Sequence, residues 1–159
     1  MLDQHKDIVD EIKVIVFRLV DEEYGVEVNQ VRSIEKMQSI TRVPRTPDFV
    51  KGVINLRGVV TPVIDLKTRF NLGEEAYTDS TRMIIVAVDD MEVGLIVDAA
   101  NDVIDIPVNV IELPPSVVGG INANYLRGVA KLQDRLLIML NLDKVLSNEE
   151  IQAMSSLER

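Results

Sequence analysis

The sequence contains two copies of one ordered pattern, and this repetition limits the folds that the chain can adopt. Residues 15–34 align without gaps on residues 84–103, with acidic residues and a glycine at matching positions between Val- and Ile-rich runs. Residues 49–70 align in the same way on residues 125–146, and both segments contain the pattern G-V-x-x-L. Because the two patterns follow each other in the same order in both halves, we interpret the chain as an internal duplication.

Each copy of the first pattern predicts a β-hairpin. The apolar runs 14–19 and 24–28 flank acidic turn residues, and the runs 83–88 and 93–97 flank a second turn of the same kind. Small units with several short strands usually close into barrels, because closure removes exposed sheet edges. We therefore predict an all-β protein of two packed β-barrels, the first at residues 12–80 and the second at residues 81–159. The pattern leaves open which barrel the first and last strands join.

Short helices are predicted at two places. Residues 65–70 favour a helical turn, and Ser147 stands three residues before Glu150, which is the spacing of a capping box. Ile151, Met154 and Leu157 follow at intervals of three, so we expect a C-terminal helix whose apolar face packs on a barrel. The two prolines within residues 39–50 indicate a loop.

The composition excludes several classes of partner and of site. Seventeen basic and 26 acidic residues give a net charge of −9, which repels nucleic acid and anionic lipid. The chain has no cysteine, so it has neither disulfides nor thiolate metal sites, and a reducing cytosol is its natural setting. The longest apolar runs, at residues 83–88 and 136–140, are far too short to insert into a membrane. We expect a cytoplasmic protein.

Residues that carry out catalysis are scarce. The one histidine, His5, lies in a polar N-terminal segment and is interpreted as a solvated residue. The aspartates within residues 98–105 lack the spacing of a calcium-binding loop, and we interpret them as a solvated acidic edge. The glycines at residues 119–120 lack the Lys and Ser/Thr of a phosphate-binding loop. A carboxylate-only hydrolase is compatible with the residue types, but a chain without Trp favours a binding module, so no catalytic residue, metal or cofactor is predicted.

An arginine stands in the middle of the most aliphatic segment, GVINLRGVVTPVIDL at residues 52–66. Gly52 and Gly58 suit backbone positions with positive φ or no room for a side chain, and Asn55 can hydrogen-bond its own turn. These residues predict that NLRG is a turn with the head of Arg57 exposed. Two interpretations follow: Arg57 covers its own barrel or pairs with a carboxylate such as Asp65, or its five donors recognise a partner.

The segment FVKGVINLRGVVTPVIDLKTRF resembles the signature segment of the CheW family of chemotaxis coupling proteins. The segments DEEYGVEVNQVRSIEKM, VPRTP, GLIVDAANDVIDIP and YLRGVAKL with DRLLIMLNLDKVL fit the same family in order, so the resemblance covers residues 12–150. It implies two five-stranded barrels of the Src-homology-3 (SH3) kind around a shared core. It also implies a non-enzymatic scaffold that joins the cytoplasmic tip of chemoreceptors (methyl-accepting chemotaxis proteins) to the histidine kinase CheA, within receptor arrays at the inner membrane face.

The resemblance further implies two sets of contact residues. A receptor-binding set lies in the groove between the barrels and consists of Val31, Ile34, Arg57 and Val103. A kinase-binding set, which contacts the C-terminal regulatory domain of CheA, consists of Ile40, Val43 and Arg45. For Val31 and Val103 the alternative is ordinary core packing. For the whole chain the alternatives are a coupling protein of a kinase pathway unrelated to motility and a small carboxylate-dependent enzyme.

Overall fold

The computed structural model describes residues 10–73, 76–114, 117–118 and 121–155. The predictions made for His5, for the glycines at residues 119–120 and for Leu157 lie outside the described residues. Most of the described chain is β-strand, and its helices are short. The predicted all-β class is therefore confirmed.

The two predicted hairpins and the two predicted helices are present. The strands are β1 Glu11–Leu19, β2 Glu22–Glu27, β3 Val31–Lys36, β4 Val50–Leu56, β5 Val59–Asp65, β6 Arg82–Val88, β7 Met91–Val97, β8 Ala99–Pro107, β9 Ile111–Glu112, β10 Val117–Val118, β11 Ile121–Asn122, β12 Leu126–Lys131 and β13 Leu136–Leu140. The α-helices are α1 Leu66–Arg69, α2 Leu142–Val145 and α3 Asn148–Ser155. Helices α1 and α2 occupy matching places in the two repeats, and each begins after a capping side chain, Asp65 or Asn141.

Eleven of the thirteen strands of the described residues form two closed sheets, and β10 and β11 form a separate two-stranded sheet. Within the described residues, one sheet has five strands in the order β3-β6-β7-β5-β4, and the other has six in the order β8-β1-β2-β13-β12-β9. A bridge between Thr41 and Val53 connects the segment after β3 to β4, and a short 3-10 turn connects β8 to β9, so the two ends of each sheet meet. We call these sheets the five-stranded barrel and the six-stranded barrel. The six-stranded barrel has one strand more than predicted because its closing contact, between β9 and β12, is two residue pairs long and forms a strand. The matching contact in the five-stranded barrel is the single bridge between Thr41 and Val53.

The hairpins are exchanged between the barrels. Hairpin β1–β2 pairs with β8 and β13 from the second half of the chain, and hairpin β6–β7 pairs with β3 and β5 from the first half. The exchange is symmetric, because Gly25 lies opposite Met139 and the matching Gly94 lies opposite Val63. The boundary predicted between residues 80 and 81 therefore does not separate the two sheets, since both hairpins have the same pattern and local sequence does not choose their neighbours.

The apolar side chains form a shared core between the barrels and a smaller core inside each one, as far as the described residues show. Strand β13 contributes to two of these cores. Its residues Leu137 and Met139 face the interior of the six-stranded barrel, whereas Ile138 and Leu140 face the shared core. This arrangement buries both faces of the strand, which explains its uninterrupted apolar run LLIML.

Helix α3 begins with the predicted capping box. The backbone N–H of Glu150 donates to Ser147 Oγ at 3.1 Å, and the backbone N–H of Ser147 donates to Glu150 Oε1 at 2.7 Å. Ile151 and Met154 are buried in the shared core. The helix therefore packs on the barrels, as the spacing of its apolar residues predicts.

Candidate interaction surfaces

The NLRG segment forms a tight turn between β4 and β5. Arg57 and Gly58 have φ angles of +52° and +87°, and the N–H of Gly58 donates to Asn55 Oδ1 at 2.8 Å. Gly52, with φ of +142°, packs so closely that a Cβ atom built there would lie 2.1 Å from the carbonyl oxygen of Thr41. The predicted reasons for both glycines and for Asn55 are thus confirmed.

The guanidinium of Arg57 is exposed and holds a carboxylate on a neighbouring strand. Its side chain is 68% exposed, and Nη2 donates to Oε2 of Glu35 on β3 at 2.8 Å. The pKa of Glu35 lies below its ordinary value. The neighbouring Ser33 hydroxyl is the larger cause of this lowering, and the Arg57 guanidinium is a smaller one. The interpretation that Arg57 pairs with a carboxylate of its own barrel is thus confirmed, but the partner is Glu35. Asp65 was the wrong example, since its carboxylate caps α1 and accepts a hydrogen bond from Tyr77 Oη at 2.9 Å.

Ile34 and Val103 occupy matching positions in the duplication and are both exposed. Ile34 on β3 lies opposite Ile84, and Val103 on β8 lies opposite Ile15, which is the repeat partner of Ile84. The exposed fractions are 42% for Ile34 and 53% for Val103. The alternative of ordinary core packing is therefore wrong for Val103.

Val31 differs from these two residues, since it is partly buried against the shared core. The structure brings three members of the predicted receptor set to one region, because Val31 and Ile34 lie on β3 and Arg57 contacts Glu35 on the same strand. Val103 lies on the end strand of the other barrel.

The three residues predicted to bind the kinase lie in two different environments. Ile40 packs against the interior of the five-stranded barrel, where its Cγ2 atom approaches Gly52. Val43 and Arg45 instead line a groove of about 540 Å³ between their loop and helix α3. Sequence reasoning did not find this groove, because its two walls are about 100 residues apart in the chain.

A buried ion pair at the junction of the barrels is absent from the sequence-based predictions. The Lys67 side chain on α1 is only 5% exposed, and its Nζ lies 2.7 Å from Asp98 Oδ1. Oδ2 of the same carboxylate accepts from the backbone N–H of Val20, in the β1–β2 turn, at 2.7 Å. The interpretation of Asp98 as part of a solvated acidic edge is therefore wrong.

The described part of the chain offers neither a metal cluster nor a membrane-spanning helix. It contains no group of three or more His, Cys, Asp or Glu side chains placed to hold a metal ion. No helix among the same residues is long and apolar enough to cross a membrane.

The fold and the exposed turn are those of a known family. The family model for the CheW-like domain matches residues 13–150. The chain belongs to the CheW family. Among curated members, the chemotaxis protein CheW of Bacillus subtilis is 48% identical over 141 residues, which cover 89% of this chain and 90% of the relative. The chemotaxis protein CheW of Klebsiella aerogenes is 34% identical over 145 residues, covering 91% of this chain and 87% of the relative.

A solved CheW structure has the same fold. The crystal structure of the scaffolding protein TtCheW from Thermoanaerobacter tengcongensis is 40% identical, with a TM-score of 0.82, and the match covers 92% of this chain and 94% of that one. The resemblance to the CheW family stated from the NLRG segment and its companions is thus confirmed.

Proposed function

We propose that this protein is a non-enzymatic adaptor of chemotaxis signalling, located in the cytoplasm, that couples the tips of chemoreceptors to the histidine kinase CheA. Its relatives are named chemotaxis proteins, and its structural neighbour is titled a scaffolding protein. The observation that carries the proposal is the exposed NLRG turn, which presents Arg57 beside β3, the strand that also carries the exposed Ile34. Arginine is one of the residues in which binding hot spots are enriched.

The receptor surface in this proposal consists of Val31, Ile34, Arg57 and Val103. A helical receptor tip would place apolar side chains against the exposed Ile34 and Val103, in the way that an amphipathic helix binds in a groove. Arg57 donates one hydrogen bond to Glu35, and its remaining donors face solvent. These donors would fix the position of the receptor by binding a carboxylate or the carbonyl groups at a helix end.

The kinase surface in this proposal is the loop that contains Val43 and Arg45. Both residues line the groove next to α3, so they are available to a partner. Ile40 faces the barrel interior, where it supports the start of the loop. Its proposed role is therefore to hold the loop in place.

The receptor surface is tested by calorimetric titration with a receptor-tip fragment and, separately, with full-length CheA. Arg57→Ala should weaken receptor binding by about 1–3 kcal/mol and leave CheA binding unchanged. The fold should be unaffected, because an exposed ion pair contributes only about 0–1 kcal/mol to stability.

Lys131→Ala is the matched control, since Lys131 is also exposed and pairs with a carboxylate, that of Glu112, at 3.4 Å. Equal weakening by both variants would indicate a general charge effect, which contradicts the role of Arg57. If the unmodified protein binds neither partner, the coupling function itself is wrong.

A further inference from the structure

A preorganised apolar groove lies between the loop at residues 42–47 and helix α3, and we call it the loop–helix groove. Its volume is about 540 Å³. Its apolar walls comprise Val43, Pro47, Phe49, Val50, Ala153 and Met154. A cavity of this size accommodates one or two apolar side chains of a binding partner.

Arg69 fixes the floor and the far wall of the groove. Its guanidinium carbon lies 4.6 Å from the centre of the Phe49 ring and 5.2 Å from that of Tyr125, so it interacts with both rings. Its Nε donates to the carbonyl oxygen of Val145 at 2.7 Å, and its Nη2 contacts Glu150 Oε1 at 3.0 Å. The groove is thus held open before a partner arrives, which reduces the entropy cost of binding.

The loop beside the groove is basic in a strongly acidic protein. The net charge is −9, yet Arg42 and Arg45 are exposed and make no ion pair or side-chain hydrogen bond with another described residue. Several other arginines, such as Arg57 and Arg135, pair with carboxylates. An unpaired guanidinium on a shaped loop is available to bind a carboxylate from outside.

The backbone of the loop is strained at Arg45. Arg45 has φ of +65°, a left-handed conformation that is unfavourable for a residue other than glycine. Thr46 Oγ1 stabilises the turn by donating to the carbonyl oxygen of Val43 at 3.0 Å. Strain of this kind persists where the position of a side chain matters, and here it places the Arg45 side chain at the edge of the groove.

The carboxylates on the α3 side of the groove do not cancel the preference of the loop for an acidic partner. Glu150 accepts from the Ser147 N–H and pairs with Arg69, so its charge is already compensated. Glu149 is the other carboxylate that lines the groove. On the opposite side of the loop, a second concavity of about 470 Å³ is lined by Arg42, Arg45 and Lys51 with one aspartate, Asp48, so that side of the loop is basic.

We infer that the loop–helix groove binds an acidic segment of the kinase, with an apolar side chain of that segment inserted between the loop and α3 and a carboxylate held by Arg45. The inference rests on the proposed function, since it identifies the surface through which this chain would contact CheA. Nucleic acid is not a suitable occupant, because the net charge of −9 would repel its phosphates.

The test is titration of the full-length protein with full-length CheA, using one charge variant and one steric variant. Arg45→Glu should weaken binding by roughly tenfold or more and reduce its dependence on salt. Ala153→Trp should also weaken binding by roughly tenfold, because the indole fills the groove from an exposed position of α3. Glu149→Trp, on the same wall, replaces this variant if Ala153→Trp lowers the melting temperature.

The matched controls are Lys131→Glu, which makes the same change of charge on the other barrel, and Gln152→Trp, which places the same indole at an exposed position of α3 that does not line the groove. Both controls should bind CheA as the unmodified protein does. If Arg45→Glu alone has no effect, the occupant is not acidic, and if the tryptophan variants alone have no effect, nothing inserts into the groove. If both kinds of variant bind normally, the inference is wrong while CheA coupling stands. If the unmodified protein does not bind CheA, the proposed function is wrong, and the inference that rests on it is wrong as well.

Discussion

Glu23 and Arg135 form a two-point contact whose contribution to stability depends on pH. Arg135 Nε and Nη2 donate to Oε1 and Oε2 of Glu23, each at 2.9 Å. These hydrogen bonds hold the pKa of Glu23 below its ordinary value of 4.5. The folded carboxyl therefore has the lower pKa, so its stabilising effect is fully present above about 4.5 and is lost as the pH falls through the folded value.

Glu23→Gln should lower the free energy of unfolding by about 1 kcal/mol at pH 7. The difference from the unmodified protein should shrink as the pH falls from about 4.5 through the lower pKa of the folded protein, because the Glu23 carboxyl then becomes protonated and loses its charge. Urea unfolding at a series of pH values measures this. Glu22→Gln, at the adjacent exposed position, is the control and should show little effect. A difference for Glu23→Gln that is independent of pH would contradict the assignment.

Two glycines of the same hairpin should respond differently to substitution. Both have positive φ, but a Cβ at Gly52 would lie 2.1 Å from a backbone oxygen, whereas a Cβ at Gly58 would meet nothing within 4 Å. Gly58→Ala should cost about 1–2 kcal/mol for its backbone conformation alone. Gly52→Ala should cost about 3 kcal/mol or more, because the β4 backbone must also move away from Thr41. Similar losses in urea unfolding for the two variants would contradict this reading of the turn.

Sequence reasoning identified the residues of this turn but not the partner of Arg57. Turn chemistry is local, so Asn55, Arg57 and Gly58 within four consecutive residues were enough to predict the NLRG turn and an exposed guanidinium. Glu35 lies on β3, which is separated from Arg57 by the whole loop and strand β4. The ion pair depends on how the barrel closes, and closure is not encoded in either segment alone.

The Lys67–Asp98 ion pair connects three elements: helix α1, the β1–β2 turn and the junction of β7 with β8. Asp98→Asn removes the charge that compensates a nearly fully buried ammonium group, so we expect a loss of about 3 kcal/mol in the free energy of unfolding. The amide oxygen still accepts from the Val20 N–H, so this loss should come from the charge.

A second substitution tests that explanation. Lys67→Met in the Asp98→Asn background removes the uncompensated charge and fills the site with an apolar side chain of similar length. The double variant should therefore be more stable than Asp98→Asn alone. Thermal unfolding of the two single variants and the double variant measures the coupling. Additive losses would show that the two side chains act independently.

At the level of elements, sequence reasoning succeeded where the determinants are close in the chain. The hairpins follow from apolar runs around acidic turns, and helix α3 follows from the Ser147–Glu150 spacing. The strands that pair with each hairpin could not be predicted in this way. Hairpins β1–β2 and β6–β7 have matching residues, Gly25 and Gly94 among them, so either hairpin could pair with either set of remaining strands. The loop–helix groove was missed for a related reason, since it forms only after the two halves have packed.

The exchange of hairpins predicts how the whole molecule folds. Fragments 1–80 and 81–159 follow the boundary predicted from the repeat, yet neither contains all strands of a barrel. Without β6 and β7, β3 loses its connection to β5 and β4, and without β1 and β2, β8 loses its connection to β13. Each fragment would also expose its part of the shared core.

Neither fragment should therefore fold alone, whereas an equimolar mixture should form a one-to-one complex with the β-structure of the intact chain. Circular dichroism and sedimentation measure both properties, and each fragment at twice the concentration is the control for self-association. A cooperative thermal transition in either fragment alone would mean that one half supplies enough strands and core by itself. Folding that appears only on mixing would instead show that the duplicated halves complete each other's barrels, so that the surfaces proposed for the receptor and the kinase form only when both halves are present.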